Sequence, residues 1–371
     1  MVIRLKDRRR VAAVAFALLA ASSAATVFAA QRQALPDLLD APAAADLRAQ
    51  ISPQLSVAVA GERLVGVGVR GIVLLSDDGG RVWRQAKSVP VSVALTDVHF
   101  ATPTEGWAVG HSGVILRTRD GGETWQLQME GRRLAQLILD DVQARTAAGD
   151  ASLGRALRDA QRFVEEGPDK PFLGVRFVDA RRGFAVGAYG IALMTEDGGE
   201  TWQSLMGRIP NPRGVHLYSI QQHDADVLIA GEQGALFRSE DGGQRFVELE
   251  TPYPGTFFGV LIIDSDTLLA YGLRGNAWRS ADRGANWEQI DLGQPVTVTC
   301  GKVLLDRSIL LADESGRLMR SSDAGRSFKP VEGSFPTGLT GLAQGSDKAV
   351  VLSGVRGLTR VEPAQFVAES R

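Results

Sequence analysis

One short motif recurs six times in this chain of 371 residues, and its recurrence constrains the fold more than any other feature. Each copy has Ser or Thr, then Asp two residues later, Gly two residues after that, and Trp or Phe at the eighth position, a pattern known as an Asp box. The copies are Ser76–Trp83, Thr118–Trp125, Thr195–Trp202, Ser239–Phe246, Ser280–Trp287 and Ser321–Phe328. Successive Asp residues are 42, 77, 44, 41 and 41 positions apart. This period is typical of a four-stranded propeller blade, and the long step indicates an insertion of about 35 residues.

A second repeat counts the blades independently. A tight hairpin signal, usually two glycines three positions apart, precedes each box and also occurs once more near the end of the chain. These signals are Gly68–Gly71, Gly110–Gly113, Gly187–Gly190, Gly231–Gly234, Gly272–Gly275, Asp313–Gly316 and Gly354–Gly357. Glycine suits such turns because they require positive φ. We therefore predict an all-β, seven-bladed β-propeller over residues 51–371.

The repetition argues for a structural role of the boxes. Six equivalent carboxylates spaced around a ring cannot converge on one substrate, whereas an Asp that accepts backbone N–H groups in its own turn explains all six. The aromatic residues begin the outer strands, and we expect them to pack between neighbouring sheets. The residues concerned are Asp78, Asp120, Asp197, Asp241, Asp282 and Asp323, with Trp83, Trp125, Trp202, Phe246, Trp287 and Phe328.

Ring closure has two possible solutions. Residues 363–368 could form an outer strand of the last blade that lacks its box. Alternatively, a segment between Leu35 and Leu55 could complete the last sheet and join the two ends of the chain. Either solution removes an exposed sheet edge.

The N-terminus is typical of an export signal. Basic residues precede the uncharged run 11–30, and residues 27–29 fit a small-residue cleavage site, so we predict a signal peptide over 1–29, followed by an N-terminal segment over 30–50. An uncleaved membrane anchor is the alternative, because about 20 uncharged residues can just span a bilayer. Both predictions place the protein in the periplasm or a lumen.

Charge and cysteine content narrow the class of function. The net charge of −2 includes a net +4 within residues 1–29, so the mature chain would carry −6, which disfavours a nucleic-acid ligand. Cys300 is the single cysteine and lies in a strand pattern, so we expect a buried apolar residue. The four histidines show no metal-ligand spacing, and we predict no metal, no cofactor and no small-molecule substrate.

The insertion, residues 130–170, carries its own helical pattern. Leu134, Ile138 and Val142 mark one helical stripe, and a second stripe follows Asp150, which we expect to cap that helix. A helical hairpin after the second blade could be a lid that packs on the propeller, a partner-docking arm or an expendable elaboration.

The direction of the strands in a propeller determines on which of the two faces each loop lies. The Asp boxes lie on one face, whereas the glycine hairpins, the linkers between blades and the insertion lie on the other. Arginines near this second face could bind carboxylates through paired hydrogen bonds, and one tyrosine occupies a matching hairpin position. The candidate partner-binding residues are Arg70, Arg274, Arg356, Arg208, Arg213 and Tyr189.

The combined pattern resembles a known family. Hairpins such as Gly183–Gly190 and Gly106–Gly113, each followed by a box with two glycines and Trp, are similar to those of the photosystem II stability and assembly factors and their bacterial relatives. The resemblance covers about residues 51–362. It implies a non-enzymatic assembly factor in which an arginine patch holds a newly made reaction-centre subunit, with Arg70, Arg274 and Arg356 as the corresponding residues here. The helical insertion departs from the family pattern.

The enzymatic alternative is a sialidase-like glycoside hydrolase. Those enzymes also carry Asp boxes, and Arg208–Pro210 matches their Arg-Ile-Pro signature. In sialidases, however, the signature precedes the first box, whereas here it follows the third. We therefore predict a monomeric, exported, non-catalytic propeller that binds a protein partner, the exposed segment of a membrane protein or complex.

Overall fold

Seven small β-sheets surround one central axis in the computed structural model, which describes residues 37–150 and 153–366. This arrangement confirms the predicted seven-bladed propeller. The predicted signal peptide, residues 1–29, lies outside the described residues. Each sheet is an antiparallel meander whose first strand is innermost, so the inner strands of neighbouring blades contact one another around the ring.

The first three blades have four strands each. Their strands are β1 (Gln54–Ala60), β2 (Arg63–Gly68), β3 (Val73–Ser76) and β4 (Arg84–Gln85); β5 (Leu95–Phe100), β6 (Gly106–Gly110), β7 (Ile115–Thr118) and β8 (Gln126–Met129); and β9 (Phe172–Phe177), β10 (Gly183–Gly187), β11 (Ala192–Thr195) and β12 (Gln203–Ser204).

The next three blades repeat the layout and the seventh is shorter. Their strands are β13 (Leu217–His223), β14 (Asp226–Gly231), β15 (Leu236–Ser239) and β16 (Val247–Glu248); β17 (Phe257–Ile262), β18 (Leu268–Gly272), β19 (Ala277–Ser280) and β20 (Glu288–Ile290); β21 (Val298–Val303), β22 (Ile309–Asp313), β23 (Leu318–Ser321) and β24 (Lys329–Pro330); and β25 (Leu339–Gln344), β26 (Val350–Gly354) and β27 (Gly357–Val361).

Neither segment that was expected to close the ring forms a strand of the seventh sheet among the described residues. The seventh sheet has three strands among the described residues, and Pro363–Phe366 forms a 3-10 turn rather than a strand. Side chains close the ring instead: the Thr340 hydroxyl on β25 donates to the Gln54 carbonyl on β1 at 2.8 Å, and Arg360 on β27 donates to the Gly79 carbonyl in the first box.

The N-terminal segment runs beside the first blade, and its 3-10 turn Ala49–Ile51 contacts β27 of the last blade without adding a strand to that sheet. The Ala43 N–H donates to the Val89 carbonyl at 3.0 Å, and the Gln50 amide donates to the Trp83 carbonyl at 2.6 Å. Leu39 is buried in the hydrophobic cluster of blades 1 and 2. This segment therefore covers the outer side of the first blade.

Every Asp box makes the same hydrogen bonds. The Ser or Thr hydroxyl donates to the Asp carboxylate at 2.7–2.8 Å and accepts the N–H of the glycine two residues after the Asp at 2.8–2.9 Å. The same carboxylate accepts the backbone N–H four residues after the Asp at 2.8–3.0 Å. All six carboxylates are thus occupied within their own turns.

The aromatic residue of each box packs against the preceding blade. Trp125 shares a cluster with Val65 and Leu75 of blade 1, and Trp202 lies edge-on to Phe177 at 6.0 Å in a cluster that includes Trp107 of blade 2. Four of the six aromatics are buried, and Trp287 and Phe328 are partly buried. These contacts join the blades into one ring.

The insertion folds into two helices, which confirms the predicted helical insertion. They are α1 (Gly131–Ala147) and α2 (Gly154–Glu166). Glu130 caps α1 by accepting the N–H groups of Arg132 and Arg133. The expectation that Asp150 caps α2 is wrong: the cap position is Leu153, and Asp150 instead lies 3.7 Å from Arg145 in an ion pair that links the inter-helix turn to α1.

We expect the aromatic residue of a box to contribute more stability than its Asp. Trp202 is 7% exposed, so Trp202→Ala should lower the free energy of unfolding by about 3–5 kcal/mol through loss of burial and formation of a cavity. Asp197→Ala should cost about 1–2 kcal/mol, because it removes hydrogen bonds at a partly exposed turn. Urea denaturation would measure both, with the exposed neighbour Glu196→Ala as the control. The reverse order would contradict the packing role.

The boxes should also make stability depend on pH in the acid range. Burial opposes ionisation of Asp323, but hydrogen bonds from Ser327 and Ser321 outweigh it and lower the pKa to about 2. Since the folded pKa lies below the unfolded value, the stabilisation is complete above about pH 4 and is lost as the pH falls towards 2. Asp323→Asn has no charge to lose, so its free energy of unfolding should fall less between pH 5 and pH 3 than that of the unaltered protein. Equal losses would refute the assignment.

Candidate partner-binding face

The hairpin between the second and third strands of each blade opens on the face opposite the boxes. The Gly121 N–H in the second box donates to the Thr104 carbonyl in the turn between β5 and β6, so boxes and these turns share one face. Helix α1 contacts the hairpin turn His111–Gly113 of the same blade, so the insertion lies on the other face. We call this second surface the hairpin face.

The residue before the second hairpin glycine is left-handed in each of the first five blades. These residues are Arg70, Ser112, Tyr189, Gln233 and Arg274, with φ of 56–57°. A left-handed residue other than glycine can mark a functional site. Here four different types of side chain share the conformation, so the hairpin geometry imposes it. The side chains differ from blade to blade, and a partner could be recognised through that difference.

Two of the three hairpin arginines are free to bind. The guanidinium groups of Arg274 and Arg356 are exposed and make no hydrogen bond or ion pair with any residue in the described ranges. Arg70 is 62% exposed but pairs with Asp46 of the N-terminal segment at 2.7 Å. The blade 6 hairpin, with exposed Glu314, lies between those of Arg274 and Arg356 in the ring order, so the basic residues do not form a continuous patch.

The two linker arginines occupy different surroundings, which partly corrects their predicted grouping. Arg208 donates to the Gln244 side chain of the fourth box and contacts Met194 Sδ, each at 3.2 Å. Its guanidinium is therefore directed to the outer side of blade 4 and does not lie with the hairpin arginines. Arg213 remains on the hairpin face, where it donates to Gln233 at 3.1 Å and pairs with Glu248 at 3.2 Å.

An aromatic row crosses the hairpin face from the insertion to the central channel. The successive ring centroids are 5.9, 5.0, 6.5 and 5.0 Å apart, along Phe163, Tyr189, His216, Tyr218 and Phe258. The sequence predicted only Tyr189, because the other four rings come from α2, from the linker between blades 3 and 4, and from two inner strands. Tyr189 is 44% exposed and therefore offers an accessible aromatic surface.

Polar contacts hold Tyr189 in place. Its N–H donates to His216 Nδ1 at 3.1 Å, and the Lys170 ammonium lies 5.4 Å from the Tyr189 ring centroid and 5.1 Å from that of Phe163. Lys170 is itself fixed by Glu166 at 2.6 Å. The attraction between the Lys170 cation and the two aromatic rings stabilises this position of Tyr189. The exposed ring is thus presented in a defined orientation.

A groove of about 730 Å³ lies between α2 and the linker 206–214, beside Tyr189. Its floor is apolar and includes Ile138, Phe163 and Ile209. Four arginines and one carboxylate line it, and each arginine already pairs with a carboxylate of this chain; these residues are Arg145, Arg155, Arg162, Arg213 and Asp159. Such a groove suits an extended segment that places an apolar side chain against this floor.

The two helices of the insertion have different surroundings. On α1, Leu134 and Ile138 are buried in the cluster that contains Trp107 and Ile115 of blade 2, so this helix belongs to the propeller core. On α2, Phe163 joins the same cluster, whereas Val164 is 41% exposed and the helix forms one wall of the groove. The insertion is therefore a packed part of the propeller that also shapes its surface.

One pair of side chains bears on the sialidase-like alternative, in which a tyrosine nucleophile is paired with a carboxylate. The hydroxyl of Tyr218 donates to Glu232 Oε1 at 3.3 Å. Burial and the Glu232 charge raise the pKa of Tyr218 to about 12, which is the opposite of activation. Arg208, the residue that suggested the alternative, has its guanidinium directed to the fourth box. Within residues 37–150 and 153–366, no three potential ligands converge to hold a metal ion.

The prediction for the single cysteine can be compared with the described residues. Cys300 is buried, as expected, and burial raises the pKa of its thiol to about 12, so it is protonated at neutral pH. No helix among these residues is long and apolar enough to cross a membrane.

The fold and this face define a seven-bladed Asp-box propeller with a surface suited to binding a protein segment. The model of the family described as photosynthesis system II assembly factor YCF48 matches residues 54–126, 80–145 and 160–303. These matches cover more than half of the chain, which therefore belongs to this family.

Known members are similar in sequence or in fold. The photosystem II assembly lipoprotein Ycf48 of Synechococcus sp. (strain CC9902) is 36% identical over 85 residues, 22% of this chain and 26% of that protein, so the match spans about a quarter of the relative. The structure of YCF48 from Cyanidioschyzon merolae gives a TM-score of 0.61 at 16% identity, covering 85% of this chain and 97% of that one. A structure described as YCF48 bound to D1 peptide gives 0.60 at 17% identity, covering 84% and 94%. At these identities the structures establish a common fold.

Proposed function

We propose that this protein is an exported, non-catalytic assembly or stability factor that holds the exposed segment of a membrane-complex subunit on its hairpin face. The proposal rests on the presence on one face of an apolar groove, an aromatic row and two arginines that are unpaired among the described residues. The opposite face is occupied by six boxes whose carboxylates are bonded within their own turns. Membership of the assembly-factor family supports the same conclusion.

Each part of the face has a distinct role in this proposal. Arg274 and Arg356 bind carboxylates of the partner through paired N–H donors, since their guanidinium groups have no competing partner in the described part of the chain. Tyr189 packs against a side chain of the segment, and the groove beside it receives an apolar residue. Arg70 and Arg213 contribute less, because each already pairs with a carboxylate of this chain.

The family relation supports a particular partner. A solved relative is described as bound to D1 peptide, and we propose that the partner here is a segment of D1 or of a corresponding membrane subunit. The name of the Synechococcus relative as a lipoprotein supports an exported, membrane-associated location. We propose that the protein acts as a monomer in the periplasm or a lumen, either after cleavage at the predicted signal or anchored through it.

Replacement of the hairpin arginines tests this proposal. The triple variant Arg70→Ala, Arg274→Ala and Arg356→Ala should weaken binding of a D1 peptide by about tenfold or more, since charge-assisted hydrogen bonds are lost. Its melting temperature should change little, because the one ion pair it breaks is exposed. Calorimetry at two salt concentrations should also show that the remaining affinity depends less on salt.

A matched variant controls for net charge. Arg81, Arg245 and Arg326 are exposed arginines in the boxes, and their replacement by Ala removes the same three charges from the opposite face. We expect this variant to bind D1 peptide nearly as well as the unaltered protein. Equal weakening by the two triple variants, or full binding by the hairpin variant, would show that the hairpin arginines do not form the site.

A further inference from the structure

The inner strands of the seven blades enclose a central channel of about 410 Å³. Its volume is within the range of small-ligand sites. The channel is separate from the groove beside Tyr189, and the proposed function does not use four of its titratable groups. Those groups are Asp97, His99, Arg176 and Lys302.

Strand register places the basic groups at one level of the channel. In blades 2, 3, 4 and 6, the first residue of the inner strand pairs with the first residue of the hairpin. These pairs are Leu95 with Gly110, Phe172 with Gly187, Leu217 with Gly231, and Val298 with Asp313. Four residues after each of these inner-strand positions lie His99, Arg176, Gln221 and Lys302. The inner strands run from the hairpin face towards the boxes, so this level is near the Asp-box end of the channel.

Asp97 and His99 are already engaged by the protein. The Asp97 carboxylate accepts the Ser56 hydroxyl at 2.8 Å and the Val175 N–H at 2.9 Å, while His99 Nδ1 accepts the Phe177 N–H at 3.2 Å. Both side chains therefore cap the inner edge of β9. Burial lowers the pKa of His99 well below its ordinary value, helped by nearby positive charge, so the imidazole is neutral at pH 7.

Arg176 and Lys302 are not engaged in this way. Both are half-buried, and neither makes a hydrogen bond or ion pair with any residue that the structure describes. Burial and the Arg176 charge lower the pKa of Lys302, and the Asp97 charge offsets this only in part. With Asp97 as the single carboxylate on the lining, the channel has an excess of positive charge. Partly buried cations without partners are unfavourable, and a bound anion would remove that cost.

We propose that the Asp-box end of the channel binds a small polyvalent oxyanion, a phosphate or a polycarboxylate, between Arg176 and Lys302. The Arg176 guanidinium presents two parallel N–H donors to the anion, the Lys302 ammonium acts as a point charge, and the Gln221 amide supplies a further donor from the same level. The closed ring of strands limits the ligand to a small molecule.

Phosphate and citrate are the probes for this site. At constant ionic strength set with sodium chloride, each should bind saturably by calorimetry and raise the melting temperature of the unaltered protein. Arg176→Gln and Lys302→Gln should weaken that binding about tenfold or more. Without anion, both variants should be at least as stable as the unaltered protein, because each removes the repulsion between the cations. A purely structural role would instead make them less stable and leave anion binding unaffected.

Surface variants provide the charge controls. Lys87→Gln and Arg326→Gln remove one exposed positive charge each outside the channel and should leave anion binding unchanged. Absence of saturable binding to the unaltered protein, or undiminished binding to Arg176→Gln and Lys302→Gln, would overturn the proposal. Capture of D1 peptide should be unaffected by both channel variants, so failure of this inference and failure of the proposed function are distinguishable.

Discussion

The aromatic residue that ends each Asp box packs against the blade before it, and the ring depends on this contact. Trp125 reaches Val65 and Leu75 of the first blade, and Trp202 reaches Phe177 and the Trp107 cluster. Each box turn is held by its own Ser or Thr and Asp, so the aromatic enters the inter-blade core at a fixed position. Hydrogen bonding within the turn and apolar burial between blades are thereby linked in one eight-residue unit.

This arrangement divides the molecule into two functionally different faces. Six boxes occupy one face, and their repeated turns leave little room for variation without loss of packing. The hairpins of the first five blades have a left-handed residue at the tip but do not restrict its side chain, as Arg70, Ser112 and Tyr189 show. The insertion, the linker between blades 3 and 4 and the unpaired arginines are all accommodated there. The residues proposed to bind the partner therefore lie on the hairpin face, where the repeat restricts side chains least.

The sequence was most informative where the fold repeats. Spacing of the boxes and hairpins predicted seven blades, because each blade uses the same local turn chemistry. Ring closure was not predictable in this way, since it depends on contacts such as that between Thr340 and Gln54, 286 residues apart. Arg208 was grouped with the hairpin arginines because its linker starts at an outer strand, and the sequence does not reveal that the guanidinium is directed to Gln244.

The candidate site was less predictable than the fold for the same physical reason. Tyr189 could be identified because it occupies a repeated hairpin position, whereas Phe163, His216 and Tyr218 join its row only through tertiary packing. Likewise, Arg176 and Lys302 lie on different inner strands, and only the register of the blades brings them to one level.

Hydrogen exchange with and without bound D1 peptide tests the central claim, that the partner binds on the hairpin face, most directly. We expect slower exchange in the Tyr189 hairpin 187–191, in the linker 206–214 and in α2, with unchanged exchange in box turns such as 197–202. Slower exchange confined to the box turns, with no change in the hairpins and α2, would contradict it.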